Sequence, residues 1–131
     1  DEHGLLRLQP LVATQPLHRS ENVANYASRD PADGRIDVLF VRRPRGRAIL
    51  SRARALPILH RDDLRVVDAS DLIGLKVQSS SNDPTRRRTD MADIDQLLRR
   101  APNLDLDRVR EYFRLFDREA EFDALLAGIQ P

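Results

Sequence analysis

Hydrophobic positions along the chain change their spacing about halfway, and the change predicts strands first and helices afterwards. Leu5, Leu6, Leu8, Leu11 and Val12 recur at helical spacing and Pro16 stops the pattern, so a short amphipathic helix is expected over residues 2–13. Residues 18–28 are mixed, with Val23 and Tyr26 as weak strand signals, before Asp30, Pro31, Asp33 and Gly34 supply a turn. Ile36, Val38, Leu39, Phe40 and Val41 then form a nearly continuous apolar run of strand length, the pattern of a strand covered on both faces. Pro44 can open a helix over residues 45–56, with Ala48, Ile49, Ala53 and Leu56 on a thin apolar side. Short extended pieces are expected at residues 57–60 and 64–67.

The second half reads as helical. Asp68 or Ser70 can cap a helix carrying Leu72, Ile73, Leu75 and Val77, and the segment SSSNDPT should break it, leaving Ser79, Ser80 and Ser81 at a helix end and loop. A second helix is expected over residues 89–100, with Met91, Ile94, Leu97 and Leu98 on one side and Pro102 and Asn103 behind it. Asp105 or Asp107 opens a third, whose Val109, Tyr112, Phe113 and Phe116 make an aromatic stripe, and Phe122, Leu125 and Leu126 lie on a terminal one. The expectation is one α+β domain over residues 1–131, a small mixed sheet with a C-terminal helical bundle.

At 131 residues and 15.0 kDa the chain suits one core. It contains no cysteine, which excludes disulfides, thiolate zinc sites and cysteine nucleophiles. No apolar run approaches the roughly 20 residues of a membrane span, and the opening DEHGLLRLQP lacks the pattern of a signal peptide, so a soluble, cytoplasmic protein is expected. The net charge is +1, and 21 of the 22 basic residues are arginine, Lys76 being the exception. These are interleaved with 21 acids, which argues against a broad nucleic-acid footprint; Arg86, Arg87 and Arg88 form the densest cluster and the best candidate for phosphate contact. The sequence has no Walker-type loop, no G-x-G-x-x-G and no G-x-S-x-G, and His3, His18 and His60 have no metal-site spacing. P-loop NTPases, dinucleotide oxidoreductases and hydrolase triads therefore drop out.

Three charged residues sit where charge is costly. On a helical wheel of about 100° per residue, Leu72, Ile73, Leu75 and Val77 centre on Lys76, so the lone ammonium lies in an apolar face and needs a carboxylate or a bound anion. The wheel of the next helix puts Asp90 in its apolar sector, facing Lys76, with Asp93 and Asp95 towards the edges. Such a pair either fixes helix register or belongs to a site. Asp37, between Ile36 and Val38, either accepts turn N–H bonds or contributes to a Mg²⁺ site. Asp93 and Asp95 diverge by about 200° on a helix and cannot readily share an ion, and Asp105 to Asp107 reads as a cap.

Three segments in order, Arg35-Ile36-Asp37-Val38-Leu39-Phe40, Ala69-Ser70-Asp71-Leu72-Ile73-Gly74-Leu75-Lys76 and Arg88-Thr89-Asp90-Met91-Ala92-Asp93-Ile94, resemble the nucleotidyltransferase-like proteins related to abortive-infection toxins. The likeness covers roughly residues 35–100. It implies a nucleotidyltransferase-like fold and transfer of a nucleotidyl group from an NTP to an RNA or protein hydroxyl with Mg²⁺. Lys76, Arg87 and Arg88 would then contact the nucleotide, Lys76 on the phosphates; Asp90 would be the acid beside Lys76, and Asp37 a metal-side carboxylate. Family members carry a Gly-Ser turn and a D-x-D pair upstream of the region corresponding to Glu2, and neither stands in this sequence. The expectation is that residues 1–131, which start at Asp1, lack the N-terminal strand and that motif. The alternatives are a non-catalytic module that binds a cognate toxin or antitoxin, and simple RNA binding through Arg86, Arg87 and Arg88.

Overall fold

The computed structural model describes residues 15–21, 23–30, 32, 34–57 and 62–129, so the helix expected over residues 2–13 lies outside them, as do residues 58–60 of the extended piece expected at 57–60. The chain forms two compact units, residues 1–48 and 49–131.

In the first unit, strands β1 (His18–Arg19), β2 (Val23–Ala27) and β3 (Arg35–Leu39) form a sheet in that order. Both ladders are antiparallel, which corrects the expectation of a mixed sheet. Short connections explain the outcome, since adjacent strands joined by a few residues can only return antiparallel. Ala24 and Tyr26 are buried, with Ile36, Val38 and Phe40 packed against them. The other face carries Asn25 opposite Asp37 and Val23 opposite Leu39. Leu39 is 66% exposed, so β3 is covered on one face only, contrary to the reading of its apolar run. Helix α1 (Pro44–Arg52) begins in this unit and ends in the next.

α1 stops at Arg52 rather than reaching Leu56. Arg54 and Ala55 form strand β4 (Arg54–Ala55), antiparallel to β5 (Arg65–Val66), and the Arg65 guanidinium donates to Ala53 O at 2.7 and 3.1 Å. A basic side chain on the carbonyls just past a helix end satisfies groups that a further turn would otherwise bond. The rest of the second unit is helical: α2 (Ala69–Asn82), a 3₁₀ turn (Pro84–Arg86), α3 (Arg87–Arg100), α4 (Leu106–Arg114) and α5 (Glu119–Ala127). Asp68 caps α2 by accepting from Asp71 N, and Asp105 caps α4 by accepting from Arg108 N.

Ile73 and Val77 of α2, Ile94 of α3, Val109 and Phe113 of α4 and Phe122 of α5 have no exposed surface and make one core. Each such burial contributes about 1.5–3 kcal/mol, and Phe113 and Phe122 add a stacked contact with centroids 5.3 Å apart. Ser79, Ser80 and Ser81 belong to α2, not to a loop. Ser80 and Ser81 return their hydroxyl protons to Val77 O at 3.0 and 2.7 Å, and the Arg118 guanidinium donates to both hydroxyls, so serines that usually compete with a helix are absorbed by it.

Candidate functional site

The apolar face that makes α2 pack on α3 also carries Lys76 inward. Its side chain keeps 22% of its exposure, and the ammonium donates to Asp93 Oδ2 at 2.6 Å and lies 3.6 Å from Asp90 Oδ1. The two acids differ in setting. The Asp93 side chain is 47% exposed, whereas Asp90 is 1% exposed. Asp90 Oδ2 is buried with no hydrogen-bond donor among the described residues, its nearest cation being Arg86 Nε at 3.5 Å. The two helices thus bring Lys76 and Asp90 together as their apolar patterns require, and Asp93, placed at the edge of the face, makes the shorter contact.

The triple-arginine cluster is divided among different duties. Arg86 faces Asp90, Arg87 donates to Glu121 at 2.9 Å, and Arg88 is exposed without an ion pair among the described residues. Asp95 pairs with Arg99 at 2.8 Å while Asp93 serves Lys76, the divergence expected of i and i+2 on a helix.

Asp37 belongs to the first unit and Lys76 and Asp90 to the second. On the open face of β3, Asp37 Oδ1 accepts from Asn25 Nδ2 at 2.7 Å and lies 3.1 Å from Arg35 Nε, and its side chain is 45% exposed. Both neighbours are donors, so the carboxylate is engaged by the sheet itself. Among the described residues no three carboxylate, imidazole or thiol groups converge as a metal centre. These residues do not by themselves fit the Mg²⁺ that the resemblance implies.

A second buried acid went unassigned in the sequence. Asp71 has no exposed surface, and its carboxylate accepts from Arg52 Nε and Nη2 at 2.7 Å each and from the Tyr112 hydroxyl at 2.6 Å, with Arg108 Nη1 at 3.4 Å. Burial pushes the Asp71 carboxyl up, but the bonds from Arg52 and Tyr112 outweigh it and hold the pKa below the usual carboxylate range. Burial and the bond to Asp71 push the Tyr112 phenol up to about 12. Gly74 permits this arrangement: a Cβ there would stand 2.5 Å from the Tyr112 ring, which rests directly on the α2 backbone. The only advance signal was Asp71 in the first turn of a predicted helix, where a cap or dipole role is the ordinary reading.

Against known proteins, the chain matches no family model and no curated protein. Among the described residues no helix is long and apolar enough to cross a membrane.

Proposed function

We propose that this chain is a nucleotidyltransferase-like protein whose Lys76 grips the phosphates of an NTP, and that with the upstream carboxylates of that family it transfers a nucleotidyl group to an RNA or protein hydroxyl. One observation carries the reading: a half-buried ammonium bracketed by a sealed acid, Asp90, and a half-exposed one, Asp93. A phosphate oxygen makes a charge-assisted hydrogen bond to an ammonium and can take the place of Asp93, which turns to solvent, while Asp90 keeps the lysine side chain in place. Arg88, exposed on the first turn of α3, supplies a further cation without breaking an ion pair, whereas Arg87 must leave Glu121 to do so. The order of segments in residues 35–100 supports the same reading. A cytoplasmic setting, where NTPs are abundant, belongs to the same proposal.

Calorimetric titration with each NTP, with and without Mg²⁺, tests the proposal. Saturable heat is expected, weakened at least tenfold, about 1.4 kcal/mol, by Lys76→Met and unchanged by Arg99→Gln. Asp93→Asn, which frees the ammonium without disturbing the core, should tighten binding. Absence of heat with every NTP overturns the reading. Binding with no transfer of labelled nucleotide to RNA or protein favours the second reading, a non-catalytic module whose partner is a cognate toxin or antitoxin; no carboxylate cluster being assembled among the described residues is the observation that keeps it in view.

A further inference from the structure

We propose that the segment joining β3 to α1, together with the first turn of α1, is a binding surface for the phosphodiester backbone of a nucleic acid strand, carried by Arg43, Arg45 and Arg47. From residue 38 to residue 61 the sequence holds seven arginines and no aspartate or glutamate. In the helices that follow, arginines are answered by carboxylates: Arg99 by Asp95, Arg108 by Asp68 and Asp105, Arg114 by Glu119 and Arg118 by Glu121. Around the start of α1 that balance fails. Arg42 reaches Glu21 at 3.4 Å with both side chains largely exposed, while Arg43, Arg45 and Arg47 are exposed and have no carboxylate partner among the described residues. α1 also has no acid in its first turn, so the positive end of the helix adds to the guanidiniums.

The segment is shaped, not trailing. Arg47 N donates to Arg43 O at 3.2 Å, which sets these two residues one helical turn apart on one side, with Cβ atoms roughly 5–6 Å from each other. Gly46 lies so close to Val41 that a Cβ would stand 2.5 Å from Val41 Cγ1. The glycine lets the chain leaving β3 fold against the first turn of α1, which holds residues 42–47 as one knuckle of charge.

Chemistry selects the partner. Guanidinium forks bind phosphate in pairs of hydrogen bonds, and unpaired ones lose no internal bond when they do so. Residues 41–57 hold no Phe, Tyr or Trp, and the adjoining Phe40 packs against Ala24 and Tyr26, so the segment itself supplies no stacking ring and should contact backbone rather than bases. A lipid surface suits it less. An interfacial helix needs its apolar side free, and Ile49 of α1 is buried, which leaves Leu50, 54% exposed, as the one large apolar side chain α1 turns outward.

Fluorescence anisotropy of the whole chain with a labelled oligoribonucleotide, and with the same sequence as DNA, tests the proposal across a salt series. Both strands should bind alike, with log K falling against log salt at a slope of about −2, since each arginine that neutralises a phosphate on a single strand contributes about 0.7. The triple substitution Arg43→Gln, Arg45→Gln, Arg47→Gln should bring the slope near zero; the triple lysine counterpart should keep it, and Arg114→Gln should change nothing. If circular dichroism shows that the triple glutamine variant has lost its fold, Arg45→Gln alone decides, with an expected loss of about 0.7 in slope. An unchanged slope in the glutamine variants, no binding of either strand at low salt, or binding confined to phosphatidylserine vesicles would each overturn the inference.

Discussion

The Asp71 carboxylate, sealed from solvent, is held by the fork of Arg52 through two hydrogen bonds of 2.7 Å across 19 positions of sequence. It ties the end of α1 to the start of α2, and Tyr112 of α4 closes the same carboxylate from another side. Removing the acid strands the Arg52 fork at the helix junction, while Arg108 keeps Asp68 and Asp105. Asp71→Ala should therefore cost roughly 3 kcal/mol, the low end of the range for a broken buried pair because Arg52 remains 35% exposed. Urea unfolding measures it; a loss under about 1 kcal/mol would place this pair with ordinary surface bridges.

The same cluster sets the pH limits of stability. Asp71 has its folded pKa below the ordinary carboxylate value, so its contribution is present above that value and is lost as pH falls through the folded pKa. Glu119, held at about 2 by Arg114 and Arg110, likewise loses its ion pairs as pH falls. Tyr112 works the other way. Its folded pKa is raised from 10.0 to about 12, so its contribution is complete below pH 10 and disappears as pH rises towards 12. Urea midpoints across this alkaline window should fall more steeply in the wild type than in Tyr112→Phe, and the variant should lack the late tyrosinate absorbance step.

Much of the second unit could be read from residues alone because its helices have one dry side. Ile73, Val77 and Ile94 fix which way α2 and α3 roll, and that orientation carries Lys76 and Asp90 towards each other before any contact is known. Asp68 and Asp105 mark helix starts through local chemistry. Pairings set by long-range geometry left no such trace. The Arg52–Asp71 bond joins two elements with no shared periodicity, and the Asn25–Asp37 bond depends on strand register. The apolar run in β3 misled for a related reason: composition records hydrophobicity, while exposure of Leu39 depends on how many layers cover the sheet.

Gly74 and Tyr112 make a steric prediction with a sign change. An added methyl at Gly74 meets three ring atoms of Tyr112 at 2.5–2.7 Å, an overlap that ordinarily costs about 1–3 kcal/mol. Alanine is otherwise the better helix former by about 1 kcal/mol. Gly74→Ala should thus destabilise the wild type, by up to about 2 kcal/mol net, and stabilise the Tyr112→Ala background by up to about 1 kcal/mol. A double-mutant cycle in urea gives both numbers. Destabilisation of equal size in both backgrounds would mean that the ring is not what the methyl strikes.

Lys76 separates distance from burial as the source of ion-pair strength. Its nearer partner is Asp93 at 2.6 Å, but that side chain is 47% exposed, whereas Asp90 at 3.6 Å is sealed and its Oδ2 has no donor. If proximity ruled, Asp93→Asn would be the costly change. Exposed pairs are worth under about 1 kcal/mol, because water competes for both charges. A buried acid left with one cation is a different matter: Lys76→Met leaves Asp90 with Arg86 alone, at 3.5 Å, and should cost about 2–3 kcal/mol. Adding Asp90→Leu to Lys76→Met removes the stranded charge and should recover most of that loss, since an apolar pair fills the same space without a desolvation penalty. Thermal and urea unfolding of these three variants decide the point. Should the asparagine variant prove the weakest and the double variant recover nothing, Asp93 rather than Asp90 would be the anchor of the ammonium.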